Sequence, residues 1–160
     1  MRFKPLTQTA IALAALVALP AGAAVAADDK PAEEWIHDRQ ATLAIAGAAT
    51  KSVACAVKDE GCPRAFDYLG LQARAIAHAA KLAPDAFREG PFPDADVKTT
   101  ALPKIWDNYD KFAGGFDKMR ENAMAMVDAA ENKDFKAYAA AFKKTVDTCE
   151  TCHDNFREEH

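Results

Sequence analysis

The chain has 160 residues, 50% hydrophobic and 28% charged, with 24 acidic and 20 basic side chains and a formal net charge of −4. A net-negative chain of this kind excludes nucleic acid as a partner, because phosphate binding needs a concentrated basic surface. The length fits one domain large enough to enclose one sizeable core.

Residues 1–26 read as a secretory signal peptide. Arg2 and Lys4 precede an apolar stretch from Ala10 to Leu19, and the small residues Ala24, Val25 and Ala26 stand before Asp28 and Asp29. The apolar run is shorter than the roughly 20 residues that span a bilayer, and Pro20 and Gly22 interrupt it. Cleavage after about Ala26 is expected to leave residues 27–160 as one exported domain in the periplasm. Removing the segment takes away two basic residues and no acidic one, so the remainder carries 18 basic against 24 acidic side chains, a formal −6. No later stretch is expected to be long and apolar enough to act as a stable membrane anchor. Export also permits disulfides.

The remainder reads as helix almost throughout. A first helix is predicted over about 31–58 and a second over about 63–82, separated by "DEGCP", whose Gly and Pro stop one helix and start the next. The second is expected to end before Pro84, where "PDAFREGPFPDADVKTTALP" forms the long connection. A third helix is predicted over about 102–131 and a fourth over about 134–158. The third carries Ile105, Tyr109, Phe112, Phe116, Met119, Ala123, Met126 and Ala130 at alternating steps of four and three. Such a stripe buries one helix face against partners. Phe135, Ala139, Phe142, Val146, Cys149, His153 and Phe156 form the corresponding stripe of the fourth. Four antiparallel helices with short turns and one longer connection predict an all-α, up-and-down four-helix bundle.

Two of the four cysteines and one of the four histidines fall together in Cys149-Glu150-Thr151-Cys152-His153. On a helix Cys152 lies about 60° around from Cys149, and His153 about 40° from Cys149 one turn on. All three reach one object lying along the helix face. C-x-x-C-H is the attachment signature of c-type haem, with two thiols for thioether bonds and an imidazole for the iron. A thiol–disulfide exchange site fits less well, since its C-x-x-C opens a helix after a strand, where the helix N-terminus lowers the thiol pKa. A tetrahedral zinc site fits poorly too, because Cys152 and His153, adjacent on a helix, diverge by about 100°.

With "CETCHDNFR" in the fourth helix, "LPKIWDNYDKF" opening the third and "DRQATL" in the first, the chain resembles the class II c-type cytochromes, the cytochrome c prime family. The resemblance implies one haem c per chain in the bundle core, attached covalently through Cys149 and Cys152, with His153 as axial ligand. It maps the distal side of the iron onto Leu43, which cannot ligate, and so implies a five-coordinate iron open to small diatomic gases. Arg39 and Gln40 resemble residues that meet the haem propionates. Phe112, closing the third-helix motif, and Arg157, one turn after His153, are placed in the haem vicinity. Gly47, one turn past Leu43, is expected to admit a close approach by haem or another helix. Met119, Met124 and Met126 are read as core or surface residues, His37 and His160 as poorly placed for ligation, and His78 as a partly buried structural histidine.

Cys55 and Cys62 bracket the first turn and, in an exported chain whose other thiols are taken by haem, are expected to form a disulfide. No catalytic constellation stands out, so an enzyme is not expected. Two functions follow: a binder of nitric oxide or carbon monoxide, or a periplasmic electron carrier with low-spin six-coordinate haem and a redox partner protein. The resemblance further suggests a homodimer through the Ala-rich first and second helices, where Ala41, Ala44, Ala48 and Ala49 reduce side-chain bulk.

Overall fold

The structure is a computed structural model and describes residues 30–158; the predicted signal peptide and His160 lie outside the described residues. Four long helices, α1 (Ala32–Lys58), α2 (Phe66–Ala86), α4 (Tyr109–Glu131) and α5 (Phe135–Phe156), are joined by short turns and one long connection that carries the single-turn α3 (Lys104–Asp107).

Helix α1 has Glu33 and Glu34 in its first turn and Lys58 in its last, charges that complement the helix dipole. It stops at Asp59, which adopts the left-handed conformation (φ 65°) and lets the amide of Glu60 return to the Cys55 carbonyl at 3.0 Å. Cys55 and Cys62 are disulfide-bonded across this turn, their Cα atoms 5.6 Å apart. Arg64 follows, donating from Nε to the Ala56 carbonyl at 2.7 Å and stacking on Phe135. The turn between α1 and α2 is thereby tied to the start of α5.

Helix α2 runs past its expected stop, through Pro84 to Ala86. A proline so near a helix C-terminus deprives the ladder of one donor, and the last turn is held from outside. The amide of Phe87 bonds the Ala83 and Pro84 carbonyls, and the Tyr109 hydroxyl donates to the Pro84 carbonyl at 2.6 Å. The expected third helix is divided at Asn108 (φ −133°, ψ 38°), whose side-chain amide donates to the Lys104 carbonyl at 3.1 Å and competes with the backbone ladder. Asp134 caps α5 by accepting from the Ala137 amide at 2.9 Å. That helix ends at Phe156, because Arg157 turns extended and pairs antiparallel with Ala101.

Helix α2 packs between α1 and α4, α4 packs on α5, and α1 and α5 barely touch. The α4 stripe is buried as its periodicity predicts, from Phe112 to Ala130. The α5 stripe departs from expectation in part. Phe142 and Phe156 are buried as predicted, but the most deeply buried residues of the helix are Tyr138 and Thr145, outside the stripe, while Phe135, Ala139 and Val146 are half-buried. Tyr138 donates its hydroxyl to the Leu69 carbonyl at 2.9 Å, and Thr145 donates to the Ala141 carbonyl at 3.1 Å, so each enters the core with its polar atom satisfied. Gly70 of α2 lies against Ala130 of α4, where a Cβ would make an ordinary contact at 3.6 Å.

Two further expectations change. Helix α1 is in fact long and apolar enough to cross a membrane by length and composition, because alanine raises hydropathy without bulk. In the fold it lays Ala46, Ala49, Val53 and Ala56 into the core. His78 is exposed rather than partly buried, since the α2 face that packs is set by Leu69, Ala73, Ile76, Ala80 and Ala83.

Candidate haem site

The gap between α1 and α5 is a cavity of about 560 Å³, within the range of small-molecule and cofactor sites. Leu43, Ala46 and Gly47 of α1 form one wall, Cys149, Cys152 and His153 of α5 another, and Phe112, Phe116 and Met119 of α4 the floor. Phe112 is the centre of the floor: its ring makes edge contacts with Phe87 at 4.9 Å, Phe116 at 5.1 Å and Phe156 at 5.3 Å. The result is a rigid apolar surface, since edge-to-face ring pairs favour this geometry. Gly47 faces the open space, with nothing within 4 Å of a Cβ built on it, so no helix approaches there.

The α5 wall is held by side chains that bond back into the helix. Thr148 donates to the Lys144 carbonyl at 2.9 Å, Thr151 to the Asp147 carbonyl at 2.8 Å, and Asn122 of α4 donates to the Thr148 hydroxyl at 3.1 Å. Cys149 and Cys152 are free, half-buried and on the cavity lining. Burial raises both thiols above their ordinary pKa, Cys152 to about 11. Protonated thiols at this position are poor nucleophiles for disulfide exchange. Among the described residues no three His, Cys, Asp or Glu side chains converge on a point, which leaves a structural zinc site without ligands. His153 is exposed at the cavity mouth, yet the partial desolvation of its ring on the cavity side, aided by Arg157 and opposed by Asp154, holds it below its usual pKa. The imidazole is thus favoured in the neutral form that ligates metal.

Among the described residues the charged members of the lining are Arg39, Lys51 and Arg157, with no carboxylate beside them, in a chain that is acidic overall. An apolar slot with two thiols and a neutral imidazole on one wall and cations on its rim suits a flat macrocycle that bears carboxylates. The residues fit haem c. Arg39 departs from a water-facing side chain: it is 3% exposed, donates from Nε to the Ala86 carbonyl at 2.9 Å, and bonds the Glu89 carbonyl. Its guanidinium lies about 5 Å from the ring centroids of Phe87, Phe92 and Trp106, and burial lowers its pKa. Gln40 is exposed at the rim and donates to the Lys98 carbonyl at 2.8 Å.

All the residues predicted around the haem, Arg39, Gln40, Leu43, Phe112, Cys149, Cys152, His153 and Arg157, line this one cavity. Sequence reasoning missed Phe87, Thr100 and Ala101, which reach the cavity from the irregular connection where no periodicity marks them, and Lys51, whose spacing of two turns from Leu43 was available as a signal. His37 and His78 stand outside the lining and exposed. Met119 is on the lining, buried in the α4 stripe.

A family profile described as Cytochrome C′ matches residues 34–157. Cytochrome c′ of Rhodopseudomonas palustris is 36% identical over 151 residues, covering 91% of this chain and 92% of that protein. The crystal structure of cytochrome c′ from Rubrivivax gelatinosus superposes with a TM-score of 0.71 at 25% identity, covering 81% of this chain and 98% of that one. The nitric oxide complex of a mutant of cytochrome c prime from Alcaligenes xylosoxidans superposes with a TM-score of 0.68 at 22% identity, covering 80% and 97%. With the bundle, the slot and the C-x-x-C-H wall in place, these likenesses settle the assignment: the chain belongs to the cytochrome c′ family and carries that family's covalently bound haem c.

Proposed function

We propose that the chain is a non-enzymatic, periplasmic binder of small diatomic gases, nitric oxide and carbon monoxide, with a five-coordinate resting iron. Cys149 and Cys152 hold the haem by thioether bonds and His153 is its protein ligand. When bound, the haem supplies an iron centre that takes up a diatomic ligand or passes single electrons. The observation that carries the reading is the α1 wall: Leu43, Ala46 and Gly47 face the slot opposite His153, and none of them can ligate iron. They also offer no side-chain donor, so a polar ligand gains no hydrogen bond from them. Leu43, 37% exposed, shields this space from water with a group that can be displaced. Lys51 and Arg157, exposed on the lining, would hold the acid groups of the cofactor. The nitric oxide complex of the Alcaligenes xylosoxidans protein lends support through a shared fold.

Met119 gives the electron-carrier reading its one specific observation, as the single thioether on the cavity lining. It belongs to the packed α4 stripe, 7% exposed, and moving it onto iron would break that packing. Association of two copies is proposed through the outward face of α1, where Ala41, Ala44, Ile45 and Ala48 are exposed.

One absorption experiment tests the function. The ferric protein is expected to be high-spin and the ferrous protein to change its spectrum on addition of carbon monoxide or nitric oxide. A low-spin ferric spectrum that neither gas perturbs after reduction would assign the chain to electron transfer.

A further inference from the structure

We propose that Arg39 and Gln40 form the α1 half of a clasp on the long connection, and that this clasp sets the width of the slot on the Leu43 side; its kinetic readout rests on the gas-binding reading above. Helices α1 and α5 are the two walls, yet they barely touch. At the open end the span between them is made by residues 87–103. The α1 end of that span is fixed by an unusual arrangement. Arg39 is buried with no acidic side chain paired to it among the described residues, and its guanidinium is held by the Ala86 and Glu89 carbonyls and three ring faces. A buried cation without a counter-charge is costly unless its donors are satisfied and its faces stacked, so the turn at 86–92 must be held closely around it.

Trp106 does the holding from the other side. Its Nε1 donates to the Phe87 carbonyl at 3.1 Å and the Glu89 carbonyl at 2.9 Å, so Arg39 and Trp106 share the Glu89 acceptor. Gly90 makes the closeness feasible: it has φ 126°, and a Cβ there would lie 2.5 Å from Trp106 Cζ2 and 3.0 Å from the Arg39 guanidinium. Gln40 adds a second grip at Lys98. At the far end Leu102 donates to the Phe156 carbonyl at 3.0 Å and Glu158 to the Thr100 carbonyl at 2.8 Å. The connection therefore runs from one turn before Leu43 to one turn after His153. A change in its grip alters the separation of the walls, and with it the free space over the iron.

A contact between Arg39 and the haem acid groups would not need Trp106 or Gly90, neither of which lines the cavity. That separates the clasp from simple charge pairing. In the haem-loaded protein, Trp106→Phe and Gly90→Ala are expected to raise amide exchange across residues 88–102 by about fivefold or more, the weight of roughly one net hydrogen bond. They are expected to speed carbon monoxide association by about threefold or more, with the resting ferric spectrum kept, an effect in the range of off-site coupling. Exchange that rises while association stays within about twofold of the parent overturns slot control. Exchange that does not rise overturns the clasp itself. If Gly90→Ala fails to fold, Trp106→Phe decides by the same two readings. A parent protein that binds no carbon monoxide sinks the gas-binding reading instead, and exchange in the connection then decides the clasp alone.

Discussion

The two ends of the bundle use the same helices for opposite purposes. At the closed end Leu69 and Ile76 of α2, Met126 of α4 and Tyr138 and Thr145 of α5 are fully buried against one another, and the polar atoms of Tyr138 and Thr145 are bonded internally. At the open end the next turns of α4 and α5 present Phe112, Phe116, Cys149 and His153 to a cavity, with α1 standing off from α5. Stability is thus concentrated where side chains meet side chains, and function where the stripe is left for a cofactor to cover. A helix periodicity shows that a face is buried, and not by what.

The largest expected effect breaks the open end without touching the closed one. Replacing both Cys149 and Cys152 with alanine is expected to abolish covalent haem, read as the loss of the haem increment in intact mass after acid–acetone extraction, while far-UV circular dichroism stays helical. Haem retained under those conditions would place the attachment elsewhere. The converse experiment is Leu69→Ala at the closed end. Loss of a fully buried leucine is expected to cost about 3 kcal/mol in urea unfolding of the holoprotein, with the haem spectrum unchanged in the native state. A cost under about 1 kcal/mol would mean that the closed end is not where the fold is anchored.

The same contrast explains what the sequence could reveal. The stripe of α4 was legible in full because one apolar face runs from Phe112 to Ala130 whether it meets a helix or a cavity. Helix α5 was legible only in part, because its second half turns Cys149, Cys152 and His153 to the slot as expected while its first half also turns Tyr138 and Thr145 inward. The predicted stripe holds at Phe142, Cys149, His153 and Phe156 and misses Tyr138 and Thr145, since polar Thr145 gives no apolar signal. The C-x-x-C-H group was legible because its chemistry depends on spacing alone. The role of Arg39 was not, since its partners are backbone carbonyls at Ala86 and Glu89 in a segment without periodicity. The break at Asn108 and the passage of α2 through Pro84 likewise rest on bonds made at a distance in sequence, such as Tyr109 to Pro84.

A smaller effect is expected at the turn between α1 and α2. The disulfide between Cys55 and Cys62 lies outside the cavity lining and closes an eight-residue loop. In the chain-entropy account its removal costs roughly 2.5 kcal/mol. Cys55→Ser with Cys62→Ser is expected to lower the urea midpoint by that measure and to leave carbon monoxide binding unchanged. A changed gas affinity with unchanged stability would tie this turn to the slot rather than to the fold.

The smallest effect on stability and the most specific effect on function are expected at Leu43. It is 37% exposed against 0% for Leu69, so Leu43→Ala removes less buried surface and is expected to cost less in unfolding than Leu69→Ala. Its consequence lies in the slot. An incoming diatomic must displace a branched apolar side chain, and each 1.4 kcal/mol of that displacement costs about tenfold in affinity. Leu43→Ala is therefore expected to bind carbon monoxide faster and more tightly, whereas Leu43→Met brings a thioether to the same wall and is expected to shift the ferric spectrum toward low spin. The pair separates obstruction from coordination. Because a smaller side chain also opens the wall to water, the rates are compared with the resting ferric spectrum of each variant. If Leu43→Ala leaves both rates and spectrum as in the parent, the α1 wall does not face the iron, and the open end of the bundle would need another explanation for its width.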